Sequence, residues 1–175
     1  MDFECLIIGG GPAGLTAAIY LGRFRRKVLV VDAGDSRALS IPSSHNYPGF
    51  ADGISGKDLL RVLREQALQY GADVRAGTVA GLAHNGDGFT ATVDGREIEA
   101  SRIVLATGLK DNAPDMPGLR EAVAKAAIRY CPVCDGYEAI DKNIAVYGSL
   151  KDAEARRCSC APIAGRSRCC RRTTK

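Results

Sequence analysis

Short apolar runs alternate with amphipathic stretches along most of the chain. Runs of four apolar residues, the size of buried parallel strands, lie at 5–8, 28–31, 103–106 and 144–147. Apolar residues recur at helical spacing after the first of these runs and again over residues 57–70. This alternation of strand and helix predicts an α/β fold that begins with a βαβ unit.

The segments between these elements divide the chain. Residues 33–56 are rich in glycine, proline and serine, and an irregular stretch of this length inside a domain is usually functional. Residues 73–99 contain short alternating segments separated by glycines, which predicts a small antiparallel meander. Residues 109–118 have the Pro/Gly/Asp-rich composition of a linker. We therefore expect a first domain over 1–112 and the start of a second over 113–155.

Basic residues and cysteines are concentrated at the carboxyl end. The net charge is +4, but residues 156–175 hold seven basic residues and no acidic one, so the remainder is mildly acidic. The same segment holds four of the seven cysteines and lacks helical or strand periodicity, so we expect it to be disordered. Such a tail could bind metal or nucleic acid, but the body of the chain gives no reason to expect a nucleic-acid partner.

The sequence offers no signal for a membrane or for secretion. It contains no run of eighteen apolar residues, so we expect no membrane span and no membrane partner. The first residues, Met-Asp-Phe-Glu, are acidic where a signal peptide would be basic. The expected compartment is therefore the cytoplasm.

A glycine motif lies between the first predicted strand and the first predicted helix. It reads Gly9-Gly10-Gly11-Pro12-Ala13-Gly14, which matches G-x-G-x-x-G, and the next strand ends at Asp32. In this context Gly9 permits the tight turn, Gly11 lets the backbone approach a pyrophosphate and Gly14 allows close helix–strand contact. Asp32 would hold a ribose hydroxyl. The motif predicts a dinucleotide site, and an ordinary glycine-rich turn is the alternative interpretation.

A second motif, Cys131-Pro132-Val133-Cys134, places two thiols three residues apart. This spacing allows one small disulfide ring or a shared metal ion, and the redox interpretation is favoured in a cytosolic α/β protein. A metal would need two further ligands, which only the tail cysteines or the two histidines could supply. Two thiols without a function are the third interpretation. We expect no metal, and we expect Cys5 to be a buried packing residue.

Taken together, these motifs resemble the bacterial low-molecular-weight thioredoxin reductases and related FAD-dependent pyridine nucleotide-disulfide oxidoreductases. Four segments carry the resemblance, in the family's order, between about residues 3 and 154. They are Gly9 to Gly14 with Asp32, His45-Asn46-Tyr47-Pro48-Gly49-Phe50 with Gly53-Ile54-Ser55-Gly56, Ala106-Thr107-Gly108, and Cys131-Pro132-Val133-Cys134-Asp135-Gly136.

The resemblance implies a Rossmann-like FAD-binding domain followed by the start of a second Rossmann-like domain. It implies FAD as cofactor and NAD(P)H as electron donor, with a thioredoxin-like protein or a small disulfide as partner and a homodimer for the full-length protein. FAD would contact the glycine motif with Pro12 and Ala13, together with Asp32, His45, Asn46, Thr107 and Gly108. Cys134 would face the flavin, Cys131 would attack the partner, and Asp135 would handle the thiol proton. A solvated loop histidine and a turn aspartate are the alternatives for His45 and Asp135.

Two features depart from the family pattern. The second G-x-G-x-x-G expected for NADPH is replaced by Gly148-Ser149-Leu150-Lys151-Asp152-Ala153, and no Gly-Asp motif that would complete the FAD domain follows residue 155. Residues 156–175 also look like GC-rich DNA translated out of frame, so a truncated, frameshifted member is our hypothesis. A flavin thiol oxidase without NADPH and an inactive nucleotide-binding fragment are alternatives to a reductase.

Overall fold

The computed structural model describes residues 1–148 and, for the backbone alone, residues 166–171. The chain divides into two units. The first unit comprises Met1–Ser43 and Ile54–Pro114, and the second comprises Ser44–Gly53 and Asp115–Lys175.

From β1 to β7 the strands and the two long helices follow one another in the order that the sequence pattern predicts. The helices are α1 (Pro12–Arg23), α2 (Gly56–Gln69), α3 (Leu119–Ala124) and α4 (Pro132–Asp135), with 3₁₀ helices at Arg37–Ser40 and Tyr137–Ala139. The strands are β1 (Cys5–Ile8), β2 (Val28–Asp32), β3 (Asp73–Ala76), β4 (Val79–His84), β5 (Phe89–Val93), β6 (Arg96–Ala100), β7 (Ile103–Leu105), β8 (Asn143–Gly148) and β9 (Arg166–Arg171). No helix in the described residues is both long enough and apolar enough to span a bilayer.

A four-stranded parallel sheet with the order β3-β2-β1-β7 forms the centre of the first unit. Leu6 in β1 lies opposite Leu29 in β2 and Ile103 in β7. The two central strands, β1 and β2, are apolar because both faces of the sheet are covered there, and their side chains are almost entirely buried. This arrangement confirms the predicted Rossmann-like α/β fold.

The meander predicted over residues 73–99 is wrong for its first strand. β3 pairs in parallel with β2, with Val74 opposite Val30, and only β4, β5 and β6 form the antiparallel sheet. The physical reason is the crossover through α2, which returns the chain to the β2 edge of the parallel sheet.

The antiparallel sheet packs on one face of the parallel sheet. Ala91, Val93 and Ala100 from the meander join Leu6, Leu29 and Val31 in one buried apolar cluster. α1 packs against α2, and an added Cβ at Gly22 would lie 2.7 Å from the Tyr70 carbonyl oxygen. The parallel sheet is therefore covered by the meander on one face, and α1 and α2 pack on each other.

Helix α2 begins at a hydrogen-bonded serine cap. The Ser55 Oγ atom accepts a hydrogen bond from the Asp58 backbone N–H at 3.1 Å and donates one to the Asp58 carboxylate at 2.6 Å. Such a cap satisfies a backbone donor that the first helical turn leaves without an intrahelical partner.

We expect the Ser55→Ala variant to unfold at lower denaturant concentration than the parent chain. Loss of the cap leaves an unpaired backbone donor and lowers the free energy of unfolding by about 1 kcal/mol. Urea denaturation followed by circular dichroism measures this change. Ser55→Thr, which keeps the hydroxyl, is the matched control and should lose much less stability.

The second unit contains α3, α4, β8 and β9. β8 and β9 pair in parallel, with Ile144 opposite Ser167 and Tyr147 opposite Cys170. The expected disorder of residues 156–175 is therefore corrected at residues 166–171, where pairing with β8 satisfies backbone hydrogen bonds without any periodic side-chain pattern. The rest of that tail, and the altered second glycine motif after Gly148, lie outside the described residues.

Candidate functional site

The glycine turn connects β1 to α1 and packs against the carboxyl end of β7. Gly9 has a φ of 117°, and a Cβ atom there would lie 2.2 Å from the Ala106 carbonyl oxygen. The Ala106 N–H donates to the Ile8 carbonyl oxygen at 2.9 Å, so the two strand ends lie side by side. Thr107 and Gly108 follow directly. The structure therefore brings these two predicted site residues to the same sheet edge as Gly9.

The first turn of α1 presents its backbone donors without a side-chain cap. Gly11 is the N-cap, Pro12 opens the helix, and no side chain in the described residues caps it. Gly14 must be glycine because a Cβ atom there would lie 1.9 Å from the Gly9 carbonyl oxygen. A Cβ atom at Gly11 would meet only the Ser36 Oγ atom, at 3.3 Å. Among the described residues, the space in front of Gly11 is thus open to an anionic group, which would accept the backbone N–H groups that follow Pro12 in the first turn of α1.

Asp32 ends β2 beside this turn. Its Oδ1 atom accepts a hydrogen bond from the Gly34 N–H at 2.9 Å, and its Oδ2 atom lies 3.4 Å from the Arg64 Nη1 atom. Arg64 also donates to the Val74 carbonyl oxygen at 3.2 Å, so one α2 side chain ties Asp32 to β3. Sequence reasoning missed Arg64, since a charged residue beside an apolar helical stripe normally faces solvent.

These observations fit a dinucleotide. Gly11 leaves room for a pyrophosphate at the start of α1, and Asp32 offers carboxylate oxygens at the next strand end. His45 and Asn46 belong to the second unit, where the Ser44 hydroxyl donates to the Asn46 Oδ1 atom at 2.9 Å. Their contact with FAD therefore stays a prediction.

Cys131 and Cys134 form a disulfide, with their Cα atoms 5.3 Å apart. Cys131 is the N-cap of α4, and its Sγ atom accepts a hydrogen bond from the Cys134 N–H at 3.2 Å. Val133, between the two cysteines, is 85% exposed. A hydrogen bond to Sγ favours the charged form of a thiol, so this arrangement suits Cys131 to be the nucleophile once the disulfide is reduced.

The carboxylate of Asp135 forms an ion pair with the Arg129 guanidinium. The Arg129 Nε atom also donates to the Ala126 carbonyl oxygen at 3.1 Å, just beyond the end of α3. Both side chains of the pair are partly buried, with 31% of Arg129 and 24% of Asp135 exposed. Arg129 was not among the predicted site residues, because the sequence alone does not show that it folds back onto Asp135.

The other cysteines separate into one that is buried and four that lie outside the described side chains. Cys5 is 5% exposed within β1, and burial raises the pKa of its thiol. The tail cysteines that a metal site would need are Cys158, Cys160, Cys169 and Cys170. Among the described residues, no group of three His, Cys, Asp or Glu side chains could hold a metal ion.

Several curated proteins are similar to this chain. Thioredoxin reductase of Aquifex aeolicus is 38% identical over 159 residues, which is 87% of this chain and 49% of the relative. Thioredoxin reductase of Mycolicibacterium smegmatis is 36% identical over 83% of this chain and 47% of its own. The bifunctional thioredoxin reductase/thioredoxin of Mycobacterium leprae is 34% identical, with 32% of its length matched. The chain thus spans about half the length of the first two relatives and a smaller share of the third.

Solved structures and a family model agree with these relatives. Thioredoxin reductase from Streptococcus pyogenes superposes with a TM-score of 0.89 at 28% identity, over 95% of this chain and 55% of that one. The structure of HlmI gives 0.85 at 31% identity, over 99% and 57%. The family model described as pyridine nucleotide-disulphide oxidoreductase matches residues 3–149. The chain therefore belongs to the pyridine nucleotide-disulphide oxidoreductase family.

Proposed function

We propose that this chain acts as an FAD-dependent oxidoreductase of the thioredoxin-reductase type. It passes electrons between NAD(P)H, FAD and the Cys131–Cys134 disulfide. The observation that carries the proposal is this disulfide, with a backbone N–H donated to the Cys131 Sγ atom. The names of the similar curated proteins support the same assignment.

The chain's part in nucleotide binding is carried by the first unit. The uncapped N–H groups at the start of α1 would hold the pyrophosphate, and Asp32 would accept a hydrogen bond from a ribose hydroxyl. Thr107 and Gly108, at the same sheet edge, would also contact FAD. His45 and Asn46 of the second unit would be further FAD-contacting residues. FAD, when bound, supplies the two-electron carrier between the nicotinamide donor and the disulfide.

The dithiol exchanges with a partner disulfide in two steps. The Cys131 thiolate attacks one partner sulfur, the partner's S–S bond breaks, and a mixed disulfide forms. Cys134 then attacks the Cys131 sulfur, which restores the internal disulfide and releases the partner as a dithiol. Asp135 accepts or donates the thiol proton. Two electrons and two protons pass to the partner in each cycle, because a dithiol is exchanged for a disulfide.

The partner is a thioredoxin-like protein or a small disulfide. Val133 stands between the cysteines and is 85% exposed, so the segment that carries the disulfide is accessible to such a partner. Homodimer formation and a cytoplasmic location belong to the same proposal and are testable by sedimentation and by cell fractionation.

An anaerobic titration of the purified 175-residue chain with added FAD tests the proposal. We expect the chain to bind FAD weakly and NADPH to bleach the flavin absorbance poorly, because Gly148-Ser149-Leu150-Lys151-Asp152-Ala153 replaces the second glycine motif. A disulfide substrate should restore the absorbance that is lost. Free FAD at the same concentration is the control. Bleaching by dithiols but not by NADPH would replace the reductase with a thiol oxidase. Failure to bind FAD would contradict both and favour an inactive fragment.

A further inference from the structure

The Arg129–Asp135 ion pair joins the residues on either side of the cysteine pair. Arg129 stands two residues before Cys131, and Asp135 directly follows Cys134. The Arg129 side chain is held at two points, by the Ala126 carbonyl oxygen and by the Asp135 carboxylate. The ion pair is therefore a connection between the two flanks of the cysteine pair that involves no cysteine atom.

Asp135 lies within one helical turn of Cys131. Its backbone N–H donates to the Cys131 carbonyl oxygen at 3.2 Å, and its own carboxylate is partly buried. Reduction of the disulfide creates a thiol that must become a thiolate to react. Asp135 follows Cys131 by four residues, the spacing of neighbouring side chains on one helix face. An unpaired Asp135 carboxylate would disfavour the negative charge of the Cys131 thiolate, and a carboxylate that is paired with Arg129 disfavours it less.

We propose that Arg129 is a positioning residue for the dithiol, which neutralises Asp135 and so lets the Cys131 thiolate form at physiological pH. This role rests on the proposed function, because it concerns the reduced state of the same cysteine pair. Arg129 acts on Cys131 through Asp135, and the partner disulfide need not touch it.

The test measures the pH dependence of Cys131 alkylation by iodoacetamide in the full 175-residue chain. All variants carry Cys134→Ser, so that Cys131 is the one thiol of the segment and no internal disulfide can re-form. Mass spectrometry of the peptide that contains Cys131 separates it from the other cysteines. We expect Arg129→Met to move the midpoint of the pH profile upward by about one unit, which slows alkylation about tenfold below the midpoint.

Three further variants distinguish charge from structure. Arg129→Met combined with Asp135→Asn should restore the background profile, because neither charge remains. Arg129→Lys keeps the positive charge but replaces the guanidinium that donates to Ala126. This variant should therefore keep the pH profile of the Cys134→Ser background. Arg120→Met removes an exposed arginine of the same unit that forms no ion pair among the described residues, and it should change nothing.

Two results would overturn the role assigned to Arg129. One is a profile of Arg129→Met that overlays the background, and the other is an Arg129→Lys variant that titrates like Arg129→Met. The assay contains neither flavin nor nicotinamide. A chain that fails to transfer electrons from NADPH but shows the shifted profile would therefore contradict the proposed function and leave the role of Arg129 standing.

Discussion

The Gly11→Val variant is expected to fold normally and to lose its affinity for FAD. Gly11 has a φ of −75° and a ψ of −179°, which valine adopts without strain. The protein atom nearest to its added Cβ is the Ser36 Oγ atom at 3.3 Å, a side-chain atom that can move. The valine side chain would instead occupy the space that the pyrophosphate needs. We expect binding to weaken at least about a hundredfold, or about 2.8 kcal/mol.

Titration with FAD, followed by fluorescence quenching, measures this loss, and urea denaturation of the same variant measures its stability. Gly14→Val is the informative contrast. Its Cβ would lie 1.9 Å from the Gly9 carbonyl oxygen, so that variant should lose stability and flavin together. An unchanged FAD affinity in Gly11→Val would remove the glycine turn from the cofactor site.

Replacing either cysteine of the pair by serine is expected to abolish turnover, with different consequences for each position. Cys131→Ser removes the attacking sulfur, so no adduct with a partner disulfide should form. Cys134→Ser keeps the attacking sulfur but removes the one that resolves the mixed disulfide. That variant should therefore accumulate a covalent adduct with the partner, visible as a mass increase that dithiothreitol reverses.

The reduced chain, freed of reductant and mixed with an oxidised thioredoxin-like protein, supplies the measurement. Cys5→Ala is the matched control, since the Cys5 thiol is buried in β1 and its raised pKa keeps it protonated. Adduct formation by Cys131→Ser and not by Cys134→Ser would reverse the roles assigned to the two sulfurs.

Local patterns were sufficient to predict the first βαβ unit. A buried strand, a glycine motif, an amphipathic helix and a second strand that ends in Asp32 are contiguous, so each constrains its neighbour. The disulfide was predictable for the same reason, because Cys131 and Cys134 are separated by a single turn.

Contacts between distant segments could not be predicted in this way. β3 reads locally like a meander strand, and its parallel pairing with β2 depends on where the α2 crossover delivers it. The ion pairs of Arg64 with Asp32 and of Arg129 with Asp135 require the chain to fold back on itself. A single sequence contains many arginines and aspartates, and nothing in their spacing selects these pairs.

The pairing of β1 with β7 has a consequence for folding during synthesis. β1, β2 and β3 all leave the ribosome before β4 to β6, and only then does Ile103 arrive to lie opposite Leu6. Until β7 emerges, β1 has β2 on one side and no strand on the other. Closing so large a loop is entropically costly and slow. The nascent chain therefore leaves one edge of the apolar strand β1 unpaired until β7 emerges, and a chaperone that binds extended apolar segments can bind there during that time.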